Sequence, residues 1–296
     1  RTNEFISAEK ITKDVNPSYG SIQKLHTRNS DLIALCEDKI LRILANKDAI
    51  FNADGNPQLI ANENVLGQVV PFAGDYGIST DPSSFVSENF RAYFTDKQRG
   101  AVLRLSRDGL TAISEYGMSD YFKDNLKLHD TIVGSYDSKN EEYNVTMKVS
   151  DPTSKLGATV SFDEKAKGWV SFKSFIGDFA FSACNNYYSF EKGVLYQHDM
   201  GYYNNFYGDF TNSTVTVLFN DAPSSVKTFR TLNYEGSQAK IEEEITDVRT
   251  GYYNLNEKQG WHVSSINTDQ DEGQAAEFVK KEGKWFNYIK GVNNII

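Results

Sequence analysis

One local pattern recurs along this chain and restricts the folds open to it. Ala92-Tyr-Phe-Thr-Asp96 is followed by Lys97-Gln-Arg-Gly100 and then Ala101-Val-Leu-Arg-Leu105. Val133–Asp137, a polar turn and Glu142–Met147 repeat it, as do Ala158–Asp163 with Trp169–Phe172 and Asn186–Phe190 with Val194–Gln197. Each unit reads as an aromatic-ended strand, a charged turn and an apolar strand, which is an antiparallel hairpin. Asp96, Asp137 and Asp163 stand where strand meets turn, and there a carboxylate accepts turn N–H groups. Gly100, Gly168 and Gly193 close turns of the same units. The three aspartates are 41 and 26 residues apart, so the repeat is irregular. Spacings of this order suit β-propeller blades, with generic sandwich hairpins as the rival.

Composition agrees with a sheet protein. Aromatic residues make up 13% of the 296 residues, a load that fits pleated surfaces. With 39% hydrophobic and 24% charged residues the chain is not of a disordered class. The net charge of −9 argues against general nucleic-acid binding, which needs a basic footprint. No run of 18 apolar residues exists, so no membrane-inserting helix is expected. Arg1 in place of an initiator Met leads to the expectation of a piece of a longer protein. Cys36 and Cys184 are the only cysteines. Two buried free thiols are expected, with a single bridge as the alternative.

The remaining elements are read as follows. Residues 1–30 are polar and irregular. Residues 31–44 form a hairpin around Glu37-Asp38, or else a helix. Residues 52–57 make a tight turn. Leu110–Ile113 is a third strand, and a short helix capped by Ser119 runs to Leu128. Ser213–Phe219 and Val226–Leu232 alternate as an antiparallel pair, and Gly260–Ile266 is a further strand. Gly273–Lys281 is a second short helix that Gly283 stops. The expected fold is mainly β, with antiparallel hairpin repeats, propeller-like, over 1–214. A small C-terminal β-rich module with a short helix is expected over 215–296.

The usual signatures of chemistry are missing. There is no phosphate-cradling loop, no Gly-x-Gly-x-x-Gly, no Gly-x-Ser-x-Gly and no paired-His zinc helix. His26, His129, His198 and His262 are scattered and read as surface or edge positions. Counting from Asn267, Gly273 falls at position seven and Phe278 at twelve, which fails the calcium-loop pattern twice. No catalytic residue, metal or cofactor is expected. Seven aromatics, Tyr187, Tyr188, Tyr196, Tyr202, Tyr203, Phe206 and Tyr207, crowd into one stretch. Some fill the space between sheets, and others are interface candidates. Arg99, Arg104 and Arg107 are candidates for ion pairs to a neighbour, or else solvated turn charges.

A resemblance adds to this reading. Phe94–Leu110, running on through Ile113–Phe122, resembles a stretch of large structural proteins of tailed bacteriophages. Asn52–Asn56, Ala73–Thr80 and Gly283–Gly291 are similar to the same group. The nearest likeness is to tail-end or muzzle-type proteins of crAss-like phages, and to similar virion proteins of marine phages. It is strongest over about 35–130 and looser over 160–291. The resemblance implies a non-catalytic virion tail component assembled in the host cytoplasm. Its implied partners are copies of itself and other tail proteins. Alternatives are a tail protein that binds a host receptor or glycan and, further off, a propeller glycoside hydrolase of sialidase type.

Overall fold

The computed structural model describes residues 12–29, 31–51, 57–150, 157–227, 229–236, 261–267, 272–274 and 278–288. The chain divides into two compact units, Arg1–Thr214 and Val215–Ile296.

The first unit is a succession of antiparallel sheets. The first sheet runs β1 (Ile22–Arg28), β2 (Asp31–Cys36), β3 (Ile40–Phe51) and β4 (Pro57–Pro71) in chain order. The second takes β5 (Val86–Glu88), β6 (Arg91–Asp96), β7 (Ala101–Ser106) and β8 (Gly109–Ala112). A short helix, α1 (Ser119–Asn125), leads to the third sheet: β9 (Thr131–Asp137), β10 (Glu142–Lys148), β11 (Ala158–Asp163) and β12 (Gly168–Lys173). The fourth has three strands, β13 (Phe179–Ala183), β14 (Asn186–Glu191) and β15 (Val194–Gln197). A two-residue pair, β16 (Asn205–Phe206) and β17 (Asp209–Phe210), follows. The four hairpins of the repeated pattern are all present, with Asp96 opposite Ala101, Asp137 opposite Glu142, Asp163 opposite Gly168 and Glu191 opposite Val194. Among the described residues none of these sheets closes into a barrel.

Strand alternation gives each sheet two faces, and the middle sheets bury both. One face of the second sheet, with Ala92, Phe94, Leu103 and Leu105, packs on Ile33, Leu35 and Ile40 of the first. Its other face, with Tyr93 and Val102, meets Tyr143, Val145, Met147, Val160 and Phe162 of the third. Tyr93 and Tyr143 lie 4.7 Å apart, nearly parallel. At this seam Glu164 accepts from Tyr93 Oη at 2.6 Å and from Arg104 Nη1 at 2.7 Å. The opposite face of the third sheet is buried yet polar, with Ser135, Asn144, Thr146, Thr159 and Ser161. Thr146 and Thr159 hydroxyls lie 2.9 Å apart, Thr159 donates to the Phe175 carbonyl, and Ser161 donates to Asn144 Oδ1.

The aspartate hairpins share a four-residue loop. Asp137 Oδ1 accepts from Lys139 and Asn140 N–H, and Asp163 Oδ1 from Lys165 and Ala166 N–H. In each loop the last residue is left-handed: Gly100 (φ 65°), Glu141 (φ 59°) and Lys167 (φ 50°). The left-handed position therefore falls on Lys167 rather than on Gly168. Asp96 does more than close its loop. Fully buried, it accepts from Arg99 N–H, Arg99 Nη1, Gly77 N–H and Ser79 Oγ.

Several sequence expectations are corrected. The stretch before residue 30 contains β1, whose partner β2 it could not reveal by itself. Residues 31–44 form the hairpin, not a helix. Turn residues 52–56 lie outside the described residues, as does Gly260. Met118 stands at the cap position of α1 and Ser119 is its first helical residue, with no side-chain cap. Cys36 and Cys184 are free, but Cys184 is exposed because it sits in the β13–β14 turn.

The second unit, as described, holds β18 (Thr231–Tyr234), β19 (Ser265–Asn267), β20 (Glu272–Gln274), β21 (Val279–Lys281) and β22 (Lys284–Tyr288). The order β18-β22-β21 forms one sheet, and β19 pairs with β20. Phe278 and Trp285 are its buried centre, with Leu232, Tyr234, Val263 and Ile266 packed around them. The expected helix over 273–281 is corrected: Glu272–Gln274 and Val279–Lys281 are strands, and 275–277 lie outside the described residues. Glu282 and Gly283, both with positive φ (52° and 81°), make the tight turn of the β21–β22 hairpin. Among the described residues the expected pairing of 213–219 with 226–232 is absent: 213–219 joins no sheet, and Thr231–Tyr234 pairs with Lys284–Tyr288.

Three stability outcomes follow from the loops. Asp96→Ala leaves a buried guanidinium contact and three other donors unmatched, and is expected to cost about 3–5 kcal/mol in denaturant unfolding. Asp163→Ala, in a solvent-facing loop, is expected to cost about 1 kcal/mol. Glu141→Gly relieves the left-handed strain of a non-glycine residue and is expected to gain about 0.5–1 kcal/mol. Equal losses for both aspartates, or a loss at Glu141→Gly, would contradict these assignments.

Candidate interaction surface

The fourth sheet and the loop after it carry the aromatic stretch. Alternation sends Ala180, Ser182, Tyr187, Ser189 and Tyr196 to one face and Phe179, Phe181, Tyr188, Phe190 and Leu195 to the other. The inner face is tied to the third sheet. Tyr187, only 2% exposed, shares a 2.7 Å hydrogen bond with Ser135 Oγ. Ser182 Oγ donates to the Tyr136 carbonyl and accepts from Ser138 N–H. Ser189 Oγ lies 2.6 Å from His198 Nε2 and 2.7 Å from Tyr207 Oη. The His198 ring packs among Phe175, Tyr187, Phe206 and Tyr207.

Ser189 and His198 have the residue types of a nucleophile and its base. Ser189 is fully buried, however, beneath Tyr207 and His198, so the pair is a structural knot. Burial, with the Lys173 cation second, holds the His198 pKa down at about 4, against the pull of Asp199 and Asp137. His198 does continue edge strand β15, its N–H donating to the Tyr187 carbonyl, but its ring packs inward, and the surface-or-edge expectation fails for His129, which is buried in its own segment with Nδ1 2.7 Å from the Asn125 carbonyl.

The outer face differs. Phe181 stacks with Phe179, Tyr188 and Phe190 at 5.6–6.3 Å, and no charged side chain is among its residues. Phe179 and Leu195 are more than half exposed. Tyr202 (85%) and Tyr203 (86%) project almost fully into solvent, whereas Tyr188, Tyr196, Phe206 and Tyr207 are half-buried. The seven-residue cluster thus splits into a buried Tyr187, a half-buried layer and two free tyrosines. Phe179, Phe181, Phe190 and Leu195 escaped the sequence reading, although the Phe-Ala-Phe and Tyr-Ser-Phe alternation marks them.

The arginines are placed differently from expectation. Arg99 pairs with Asp96 at 3.0 Å and with Asp38 at 3.2 Å, and Arg104 pairs with Glu164. Both neutralise acids of their own chain, which leaves Arg107 as the exposed one of the three. A cleft of about 550 Å³ beside Arg99 is lined by Asp75, Tyr76, Glu115 and Lys123. Among the described residues no group of three or more His, Cys, Asp or Glu side chains is placed to hold a metal ion. Among them, too, no helix is long and apolar enough to cross a membrane.

His198 sets a pH signature. Its folded pKa lies below the ordinary 6.5, so between pH 6.5 and about 4 the unfolded chain binds more protons. Stability is complete above pH 6.5 and is lost as pH falls toward 4. His198→Gln is expected to flatten the thermal-melting slope in that window. A slope unchanged by the substitution would remove His198 as its source.

Comparison with known proteins places the chain. A model described as Crassvirus muzzle protein matches residues 10–193, and one described as Crassvirus muzzle protein C-terminal domain matches 201–291. The chain is also 22% identical over 238 residues to the muzzle protein of Bacteroides phage crAss001. That match covers 75% of this chain but 16% of the relative, so the chain spans under a fifth of the relative's length. With more than half of its residues under one family model, the chain belongs to the Crassvirus muzzle protein family.

Proposed function

We propose that this chain is a non-catalytic structural component of a phage virion, placed at the tail end and built to assemble with copies of itself and neighbouring tail proteins. Family membership over 10–193 carries the reading. The surface chemistry supports it. The buried polar pairs and serines serve the chain's own packing, while a set of large aromatic and aliphatic side chains, Phe179, Leu195, Tyr202 and Tyr203 among them, stays exposed. Such groups anchor protein interfaces. The four successive sheets of the first unit, each stacked on the next through a buried face, are read as propeller-like blades. Closure of a ring then needs further sheets from outside the described residues. Assembly in the host cytoplasm before release belongs to the same proposal.

A second reading rests on Tyr202 and Tyr203. Two free tyrosines in one turn are a platform on which sugar rings stack, so a host glycan or receptor is the alternative ligand. Tyr202→Ala/Tyr203→Ala separates the two, since loss of binding to host cells with intact particles favours receptor contact.

The deciding experiment is peptide mass spectrometry of density-purified particles, quantified against the major capsid protein. Peptides of this chain are expected at a low fixed ratio. Their absence from clean particles would overturn the structural reading.

A further inference from the structure

The first three sheets each have four strands in chain order, and the fourth has three. Its missing strand is the one that would follow β15. The sequence after β15 does contain a strand pattern, Ser213-Thr-Val-Thr-Val-Leu-Phe219. In the structure that segment joins no sheet, and among the described residues its backbone makes no hydrogen bond. Its apolar side chains are in water: Val215 is 70% exposed, Val217 60%, Leu218 86% and Phe219 62%. The segment starts from a fixed point, because Thr211 N–H donates to the Asn204 carbonyl and Ser213 Oγ to Asn204 Oδ1.

The acceptor is equally bare. β15 is an edge strand, and Val194, Leu195 and Gln197 along it are exposed. Neither Val194–Gln197 nor Ser213–Phe219 contains a charge or a proline. Edges of folded proteins are normally guarded by charge, proline or a bulge, so an unguarded edge and an unguarded free strand carried by one chain mark a pairing site. Pairing satisfies the free N–H and C=O groups of both and extends the Phe179, Phe181, Tyr188, Phe190 and Leu195 face by one strand.

We infer that Ser213–Phe219 of one copy adds to β15 of a second copy, completing the fourth sheet by strand exchange. A second copy is the occupant because donor and acceptor are both carried by this chain and, among the described residues, neither is paired within it. Exchange of an identical element between copies needs no surface beyond those present. The inference deepens the proposed assembly role and rests on it only for the setting. Particle mass spectrometry tests that role, and the experiment below tests the exchange, so either fails without the other.

The test uses the full 296-residue chain with Cys184→Ser, which leaves buried Cys36 as its only native thiol. Leu195→Cys and Val217→Cys are made as separate proteins and mixed, then treated with a bismaleimide of about one strand spacing or longer. A covalent pair of one Leu195→Cys and one Val217→Cys chain is expected, at twice the 33.4 kDa chain mass. Light scattering of the uncross-linked chain is expected to show concentration-dependent doubling. Val217→Pro, in a segment that pairs with no strand among the described residues, is expected to abolish doubling with an unchanged circular dichroism spectrum. Absence of the mixed cross-link would overturn the exchange. So would closure of a Leu195→Cys/Val217→Cys double variant within a single chain, which would make the fourth strand the copy's own.

Discussion

A fully buried carboxylate stands at the joint on which the first two sheets depend. Asp96 sits on the face that packs toward the first sheet, where an unpaired charge would cost several kcal/mol. Four donors remove that cost: two from Arg99, one from the Gly77 backbone and one from the Ser79 hydroxyl. The same guanidinium reaches Asp38 in the β2–β3 turn. One charge thus fixes the hairpin turn, the loop at 77–79 and the first sheet. Asp137 and Asp163 occupy the same pattern but tie their own loops, because their carboxylates meet fewer distant donors. Identical local chemistry carries different weight according to what is folded over it.

The third sheet shows a second constraint. One of its faces is aromatic and aliphatic, the other a layer of Ser, Thr and Asn. A polar layer between sheets is tolerable when its groups bond one another, as Thr146 with Thr159 and Ser161 with Asn144 do. Hydroxyls bond in fixed directions, whereas apolar contacts slide. The layer therefore fixes the register of the fourth sheet through Ser135–Tyr187 and Ser182–Tyr136, and the aromatic face beyond it is held in place as a consequence.

What the sequence made legible was the local chemistry. The hairpins could be read because strand, aspartate and turn lie within about a dozen residues. The sheet of the C-terminal unit could not, since its β18–β22 pairing joins residues more than fifty positions apart, such as Thr231 with Tyr288. Gly283 was ambiguous in principle: a glycine after an apolar run ends a helix or turns a hairpin, and only the partner strand decides. Arg99 and Arg104 read as free charges because Asp38 and Glu164 are about sixty residues away in sequence. The aromatic stretch was visible as composition, but its division between a buried face and an open one is a property of strand register.

That division bears on assembly. A net charge of −9 holds copies apart at long range, yet at physiological salt this repulsion fades beyond about 8 Å. Uncharged edges and faces add nothing to the repulsion where copies touch. In the proposed assembly, association would be governed by short-range backbone pairing and aromatic burial, which have direction and register, and not by net charge, which has neither. Because Arg99 and Arg104 stabilise the chain's own seams, it is the fourth-sheet edge and its aromatic face, and not these two cations, that would meet a neighbour in the proposed assembly.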